Sequence, residues 1–195
     1  MPYNSGNRMV TKMNNADNTQ YRDNIEKVAR LVQMAFIEIR RSLQCGTLSE
    51  PQKTAIASLP LDAVTGAAEN RLAKFPNDCC MDAANVLAVI FLAFAEQNGF
   101  RHGQIHQIRC RPTDKTKNVM FDFHQWLAIG GYHIDITFEQ CKAVLKGNEG
   151  KVIFDTHPLI GSDDYIYESG NAVMEEPFKV FANFVIENYF NTENN

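Results

Sequence analysis

The sequence predicts an α+β domain in which a buried helix packs against an antiparallel sheet, with further helices on the flanks. Three observations support this class. The stretch after Cys80 is apolar on nearly every side until Glu96, as expected for a helix that other elements enclose. From Gln104 onward the spacing of apolar residues changes to that of strands. A last amphipathic helix is then predicted over residues 177–190.

The first part of the chain is predicted to be helical. Apolar residues recur at three- and four-residue spacing over residues 21–43, which indicates an amphipathic helix. Residues 49–75 are interrupted by prolines and carry a weaker helical pattern over residues 62–72. The buried helix is predicted to start at Pro76 followed by Asn77 or Asp78, whose short polar side chains can cap free amides. It should stop before Asn98-Gly99.

The middle of the chain is predicted to form the sheet. Strands are expected over residues 104–111 and 118–129, and the two-residue loop Gly130-Gly131 leads into a third strand over residues 132–137. Residues 152–155 could add another strand. Helices followed by a strand meander and a final helix is the order of an α+β protein.

Length and composition indicate one domain. The chain has 195 residues, of which 45% are hydrophobic and 22% charged, enough for a single core over residues 20–191. Residues 1–19 are polar and rich in Asn, and are predicted to be a disordered tail without signal-peptide features. The longest uninterrupted apolar run, residues 86–95, is too short to span a membrane.

Charge and cysteine content restrict the partners. A net charge of -4 argues against a nucleic-acid-binding surface, because phosphate contacts need clustered Lys and Arg. Five cysteines without an export signal suggest reduced thiols and a cytoplasmic location, although secretion without a cleaved signal would leave the same sequence. No cofactor is expected, and the oligomeric state stays open.

The register of the hairpin places chemistry on one face. With Gly130 and Gly131 as the loop, the predicted cross-strand pairs are Ile129 with Tyr132, Trp126 with Asp135, and His124 with Thr137. One face then carries His124, Trp126, His133, Asp135 and Thr137. The other face carries Phe121, Phe123, Leu127, Ile129, Tyr132, Ile134 and Ile136, interrupted by Gln125. This assignment predicts that Leu127→Asp unfolds the domain, whereas His124→Ala is tolerated.

On the polar face, His124 and Asp135 are diagonal neighbours at a separation that lets their side chains hydrogen-bond. A carboxylate on one ring nitrogen fixes the tautomer, so that the other nitrogen can take the proton of a thiol. Taken alone, such a pair is more often structural. His133 lies on the same face and is more readily explained as a surface histidine.

A cysteine at the start of the buried helix supplies the candidate nucleophile. Cys79 and Cys80 fall in its first turn, where unpaired amides and the helix dipole stabilise a thiolate. Cys80 is preferred, since Ala83, Ala84 and Leu87 share its face and leave space near the sulfur. Either cysteine by itself is more often an ordinary buried residue, and the coincidence with His124 and Asp135 favours the catalytic interpretation.

In these residues the chain resembles the papain-like and transglutaminase-like superfamily of cysteine enzymes. The resemblance covers about residues 75–140: Phe75-Pro76 with Cys80, the segment His124-Gln125-Trp126, and Asp135-Ile136-Thr137 followed by Gln140. It implies a catalytic triad of Cys80 as nucleophile, His124 as base and Asp135 as orienter. The amide of Cys80 and, more weakly, Asn77 are candidate oxyanion donors, and Trp126 is a weaker candidate for the substrate site.

The resemblance implies attack of a thiolate on an amide, ester or thioester carbonyl of a protein or peptide substrate. Hydrolysis is favoured because water is always available, and protein-glutamine deamidation or crosslinking is the closest alternative. A non-catalytic binding module on the same fold is a further one. A zinc site at His102, His106 and Cys110 is disfavoured, because His106 and Cys110 would lie about 13 Å apart on an extended strand.

Overall fold

The computed structural model describes residues 15–62, 66–98, 105–114, 123–141, 145–172 and 175–190, and within them the α+β class is confirmed. The helices are α1 (Asn15–Cys45), α2 (Glu50–Ser58), α3 (Ala68–Leu72), α4 (Cys80–Asn98) and α5 (Glu176–Val185), which continues into a π-helical turn at Ile186–Phe190. The strands are β1 (Ile105–Pro112), β2 (His124–Ile129), β3 (Tyr132–Ile134), β4 (Ile153–Phe154) and β5 (Tyr165–Asn171). A 3-10 turn, Phe138–Gln140, follows β3.

The strands form one antiparallel sheet in the order β4-β3-β2-β1-β5. Strand β2, which carries the predicted histidine, lies at its centre between β1 and β3. The predicted strand over residues 152–155 is confirmed as β4. Strand β5 was not predicted from the sequence; it pairs with β1 and supplies the second neighbour of that strand.

The predicted hairpin register is confirmed next to the turn, where Ile129 pairs with Tyr132 and Leu127 with Ile134. Gly130 and Gly131 both have positive φ, and a β-carbon at Gly130 would lie 2.5 Å from the hydroxyl of Tyr21. The turn therefore needs glycine there for its backbone and for the close approach of α1.

The predicted third strand is too long. It ends at Ile134, so the expected ladder pairs of Trp126 with Asp135 and of His124 with Thr137 do not form. Instead the amide of Asp135 donates to the carbonyl of Val152, 3.0 Å away. The chain then turns into the 3-10 element, which leaves the Asp135 side chain at the strand end rather than within the ladder.

Both faces of the sheet are covered near β2. Leu127, Ile129, Ile134 and Ile136 join the main core with α1, α4 and α5, as the face assignment predicted. The opposite face carries a second cluster, made of Cys110, Trp126, Phe138, Cys141, Phe154, Leu159 and Tyr165. Phe123 was wrongly assigned to the core and is 41% exposed, because it precedes β2, whereas Phe121 lies outside the described residues.

The starts of α1 and α4 differ from the prediction. Helix α1 begins at Asn15, so residues 15–19 of the predicted tail are helical, and residues 1–14 lie outside the described part. Helix α4 begins later than Asn77 or Asp78: Asp78 has a φ of 60°, and the carbonyl of Cys79 accepts the first helical hydrogen bond, from Ala83 at 2.9 Å. Cys80 is consequently the first residue of the helix.

A buried ion pair holds the start of α4. Arg71 of α3 donates to both carboxylate oxygens of Asp82, at 2.6 and 3.0 Å, and also to the carbonyls of Pro60 and Gly66. Asp82 raises the pKa of Arg71 against the opposing effect of burial.

Among the described residues no helix is both long and apolar enough to cross a bilayer.

Candidate active site

The first two turns of α4 form one wall of a cleft that is too narrow to hold a water molecule. Cys80 lies in it beside Ala83, Ala84 and Leu87, which are the neighbours predicted from helical spacing. The facing wall comes from the start of β2, from the last residue of β3 and from the segment after it, through Gln125, Trp126, Ile134, Asp135, Ile136 and Thr137. The Cys80 side is nearly closed, since this residue is 9% exposed.

The two adjacent cysteines have different surroundings. Cys79 is fully buried in the main core, and its thiol donates to the carbonyls of Arg71 and Asn77 at 3.3 and 3.2 Å. Burial, helped by the charge of Asp82, raises the pKa of this thiol. Cys79 therefore has a packing role, whereas the Cys80 thiol lies close enough to His124 to contribute to the raised pKa of that ring.

His124, the first residue of β2, is fully buried, and its ring is surrounded by side chains from several elements. Its Nε2 atom lies 2.7 Å from Oδ2 of Asp135, and its Nδ1 atom lies 3.2 Å from the side-chain nitrogen of Gln140. Burial opposes a charge on this ring. The charge and hydrogen bond of Asp135, with bonds to Cys141 and Cys80, nevertheless raise the pKa of His124 well above its ordinary value.

Both carboxylate oxygens of Asp135 have hydrogen-bond partners. Its Oδ1 atom accepts from the amide and the hydroxyl of Thr137, at 2.9 and 2.7 Å, while Oδ2 faces His124. Burial alone would favour the neutral acid, but the charge and hydrogen bond of His124, with a hydrogen bond from His157, lower the pKa of Asp135. The site thus holds an ionised carboxylate beside a readily protonated imidazole.

His157 completes this arrangement and was missed from the sequence. Its Nε2 atom lies 3.2 Å from Oδ2 of Asp135, the same oxygen that His124 contacts. The ring stacks on Trp126, with centroids 4.0 Å apart and planes 14° apart. His157 lies between β4 and β5 outside any regular element, so neither helical nor strand periodicity could place it.

The group His124, Asp135 and His157 has ligand atoms within 4.8 Å of one another, close enough to be considered for a metal ion. A histidine that binds a metal through Nε2 carries its proton on Nδ1 and donates it to an acceptor. Here Nδ1 of His157 instead accepts from the amide of Leu159, at 3.3 Å. The proton therefore belongs on Nε2, where it points at Asp135, and the hydrogen bonds do not fit a metal site.

Two weaker candidates of the sequence analysis do not become oxyanion donors in this geometry. The Trp126 side chain lines the cleft, but its indole N–H donates to Nδ1 of His133 at 3.0 Å. Asn77 is exposed and is not among the residues lining the cleft. The amide of Cys80 lies in the first turn of α4, where amides have no partner within the helix.

Two further thiols surround His124. Cys110 pairs with it across β1 and β2, and the Cys141 sulfur lies 3.9 Å from Nε2. Both are buried, and burial raises the pKa of each. Of the rejected zinc ligands, His106 and Cys110 lie four residues apart on β1, and His102 lies outside the described residues.

The polar residue that interrupts the apolar face of β2 has a partner on α4. Gln125 donates to Oδ1 of Asn85 at 3.3 Å, and Gln107 donates to the same atom. Gln125 also accepts from Nε of Arg109 at 3.1 Å. These bonds tie the helix that carries Cys80 to the strand that carries His124.

No protein-family model, curated protein or solved structure matches this chain. The chemistry of the site is therefore inferred from its own geometry.

Proposed function

We propose that the protein is a thiol hydrolase or acyltransferase of the papain-like and transglutaminase-like type, acting on an amide or peptide bond. The observation that carries the proposal is the buried His124 ring, which bonds to Asp135 at 2.7 Å and lies close enough to the thiol of Cys80, at the start of α4, for that thiol to contribute to its raised pKa. A base aligned by a carboxylate beside a helix-start thiol is the arrangement that activates a cysteine.

In this mechanism Nδ1 of His124 takes the Cys80 proton, because Nε2 is engaged by Asp135. The thiolate bonds to the substrate carbonyl carbon, and the carbonyl oxygen becomes an oxyanion facing the amide of Cys80. The C–N bond then breaks as His124 protonates the leaving amine. Water, deprotonated by His124, attacks the thioester, releases the carboxylic acid and restores the thiol.

Protein-glutamine deamidation or transamidation is the second candidate reaction, because the same attack of Cys80 on a glutamine side-chain amide would give an acyl-enzyme that passes to water or to an amine.

The near-closure of the site supports a non-catalytic binding module as a further alternative. His124 is fully buried and Cys80 is 9% exposed, so a substrate reaches them only if the cleft opens. We further propose a reducing compartment such as the cytoplasm, in which the five cysteines stay free thiols.

Alkylation of the thiols distinguishes enzyme from binding module without a known substrate. At about pH 6, limited iodoacetamide should label Cys80 ahead of Cys45, the exposed cysteine, because His124 is proposed to take the proton of Cys80 and iodoacetamide attacks the thiolate. Peptide mass spectrometry with fragment ions separates Cys79 from Cys80. His124→Asn should slow labelling of Cys80 and leave Cys45 unchanged. Labelling of Cys45 alone would support the binding module.

The fate of the acyl group separates hydrolysis from transfer. A p-nitrophenyl ester should give a burst of p-nitrophenolate equal to the enzyme concentration, and the acyl group should be found on Cys80 by mass spectrometry. Methylamine should then compete with water if the protein is a transferase. Cys80→Ala should remove the burst, and Cys45→Ala is the matched control that should keep it.

A further inference from the structure

The main-chain amide of Leu159 determines which nitrogen of His157 carries the proton. This amide donates to Nδ1 at 3.3 Å, so Nδ1 presents its lone pair. In a neutral ring the hydrogen then resides on Nε2, which faces Oδ2 of Asp135 at 3.2 Å. His157 is therefore oriented to donate to Asp135.

The surroundings keep this ring in one orientation and without a charge. One face stacks on Trp126, and the edges of Phe138 and Phe154 pack around it with centroids 5.4 Å away. Burial lowers the pKa of His157, and the neighbouring His124 lowers it further, against the opposing effect of Asp135. Because His157 is fully buried, solvent does not compete for its hydrogen bonds.

Each carboxylate oxygen of Asp135 then has its own set of hydrogen-bond donors. Thr137 holds Oδ1 through two hydrogen bonds, and the two imidazoles share Oδ2. A carboxylate held at both oxygens cannot rotate away from His124. Without His157, Oδ2 would keep only one of its two side-chain donors.

We propose that His157 is a positioning residue that holds Asp135 in line with His124 through a permanent Nε2–H hydrogen bond. The catalytic consequence rests on the proposed function, whereas the hydrogen bond itself does not. A neutral donor on Oδ2 shares the negative charge of the carboxylate and so moderates the basicity of His124. The ring of His124 can then return its proton to a leaving group.

The titratable groups that face this unit come from several elements. Asp135 follows β3 and His124 begins β2, while His133 of β3 lies edge-on to His157 at 6.3 Å between ring centroids. The thiols of Cys80, Cys110 and Cys141 face His124, the last at 3.9 Å. Their titration is common to the wild type and the variants below, so it cancels in the comparison.

Imidazole ¹⁵N spectra test the proposal without any substrate. The chain has only 5 histidines, which single substitutions can assign. At about pH 7, His157 should show the neutral tautomer with the proton on Nε2. His157→Phe keeps the stack on Trp126 but removes the donor, and should raise the titration midpoint of His124 by about one pH unit. His157→Gln places an amide nitrogen where Nε2 was and should restore the midpoint.

Each alternative outcome contradicts the proposal. A charged His157 at about pH 7, or its proton on Nδ1, would refute the hydrogen bond in the wild type, whatever the stability of the variants. An unmoved His124 midpoint in His157→Phe would refute the positioning role. Failure of Cys80 to alkylate would instead contradict the proposed enzyme and leave the His157 result standing, so the two failures are distinguishable.

Discussion

The side-chain nitrogen of Gln140 lies 3.2 Å from Nδ1 of His124, the ring nitrogen that does not face Asp135. An amide can turn to donate to a neutral ring or to accept from a charged one, so this contact persists in either protonation state. In the mechanism above, Nδ1 exchanges a proton with Cys80. The half-exposed Gln140 therefore covers the atom on which the reaction depends.

Removing this cover should expose the thiol. Gln140→Ala is expected to increase the alkylation rate of Cys80 several-fold at about pH 6, because the reagent gains access past Nδ1 of His124. Gln140→Met keeps an uncharged side chain of similar length and should retain the wild-type rate. Time courses of peptide labelling measure both, and a rate that is unchanged or slower in Gln140→Ala would contradict the covering role.

Asp135→Asn should disable the base while the protein stays folded. The amide nitrogen of Asn cannot accept the Nε2–H of His124, so the ring adopts the wrong tautomer, and turnover should fall by up to about 10⁴-fold. The p-nitrophenolate burst rate and circular dichroism measure activity and fold. Thr137→Val is the matched control, because it removes one donor to Asp135 and keeps the carboxylate; it should reduce the rate less.

Local sequence patterns could predict the parts of the site that lie on regular elements. The buried helix with Cys80 follows from continuous apolarity, and the hairpin register follows from Gly130-Gly131. The register near the turn placed His124 and Asp135 at one end of the hairpin. It did not reveal that β3 stops at Ile134, because that depends on the pairing of β3 with β4 and on the bond of the Asp135 amide to Val152.

What the sequence could not predict depends on contacts between distant segments. His157 and Leu159 come from a loop that folds over the face of the sheet carrying Trp126. That loop has no periodic pattern, so the sequence did not predict that it covers the polar face of the sheet. For the same reason His124→Ala can no longer be expected to be tolerated: it would leave the buried carboxylate of Asp135 without the imidazole that lies 2.7 Å from it.

The ion pair of Arg71 and Asp82 should be important for stability. Arg71→Met leaves an unpaired carboxylate in the core at the start of α4 and should reduce the free energy of unfolding by about 3–5 kcal/mol. Glu168→Gln breaks the exposed pair with Arg111 and is the control, with an expected loss below about 1 kcal/mol. Urea denaturation measures both, and equal losses would contradict the difference in burial.

The assignment of residues to the two faces of the sheet can be tested by one substitution in β2 and one just before it. Leu127→Asp places a charge in the main core and should unfold the domain, because Leu127 is fully buried beneath α4. Phe123→Asp introduces the same charge at a residue that is 41% exposed and should be tolerated. Thermal melts followed by circular dichroism compare the two. A stable Leu127→Asp protein would overturn the described core.

The pH dependence of stability should carry the signature of the His124 and Asp135 pair. The pKa of His124 is raised above its unfolded value near 6.5, so the contribution of the charged ring is fully present below about pH 6.5 and is lost as the pH rises through the folded value. The pKa of Asp135 is lowered, so its contribution is present above about pH 4 and is lost as the pH falls through the folded value.

The melting temperature of the wild type should therefore exceed that of His124→Asn most between about pH 4.5 and pH 6.5, and this difference should shrink toward pH 9. Differential scanning calorimetry across this range measures it. Thr137→Val removes one hydrogen bond to the carboxylate of Asp135 and leaves both His124 and Asp135 in place. The melting-temperature deficit of this variant should therefore vary less with pH. A His124→Asn deficit that grew with rising pH would mean that the ring is neutral in the folded protein, which would remove the ion pair from this site.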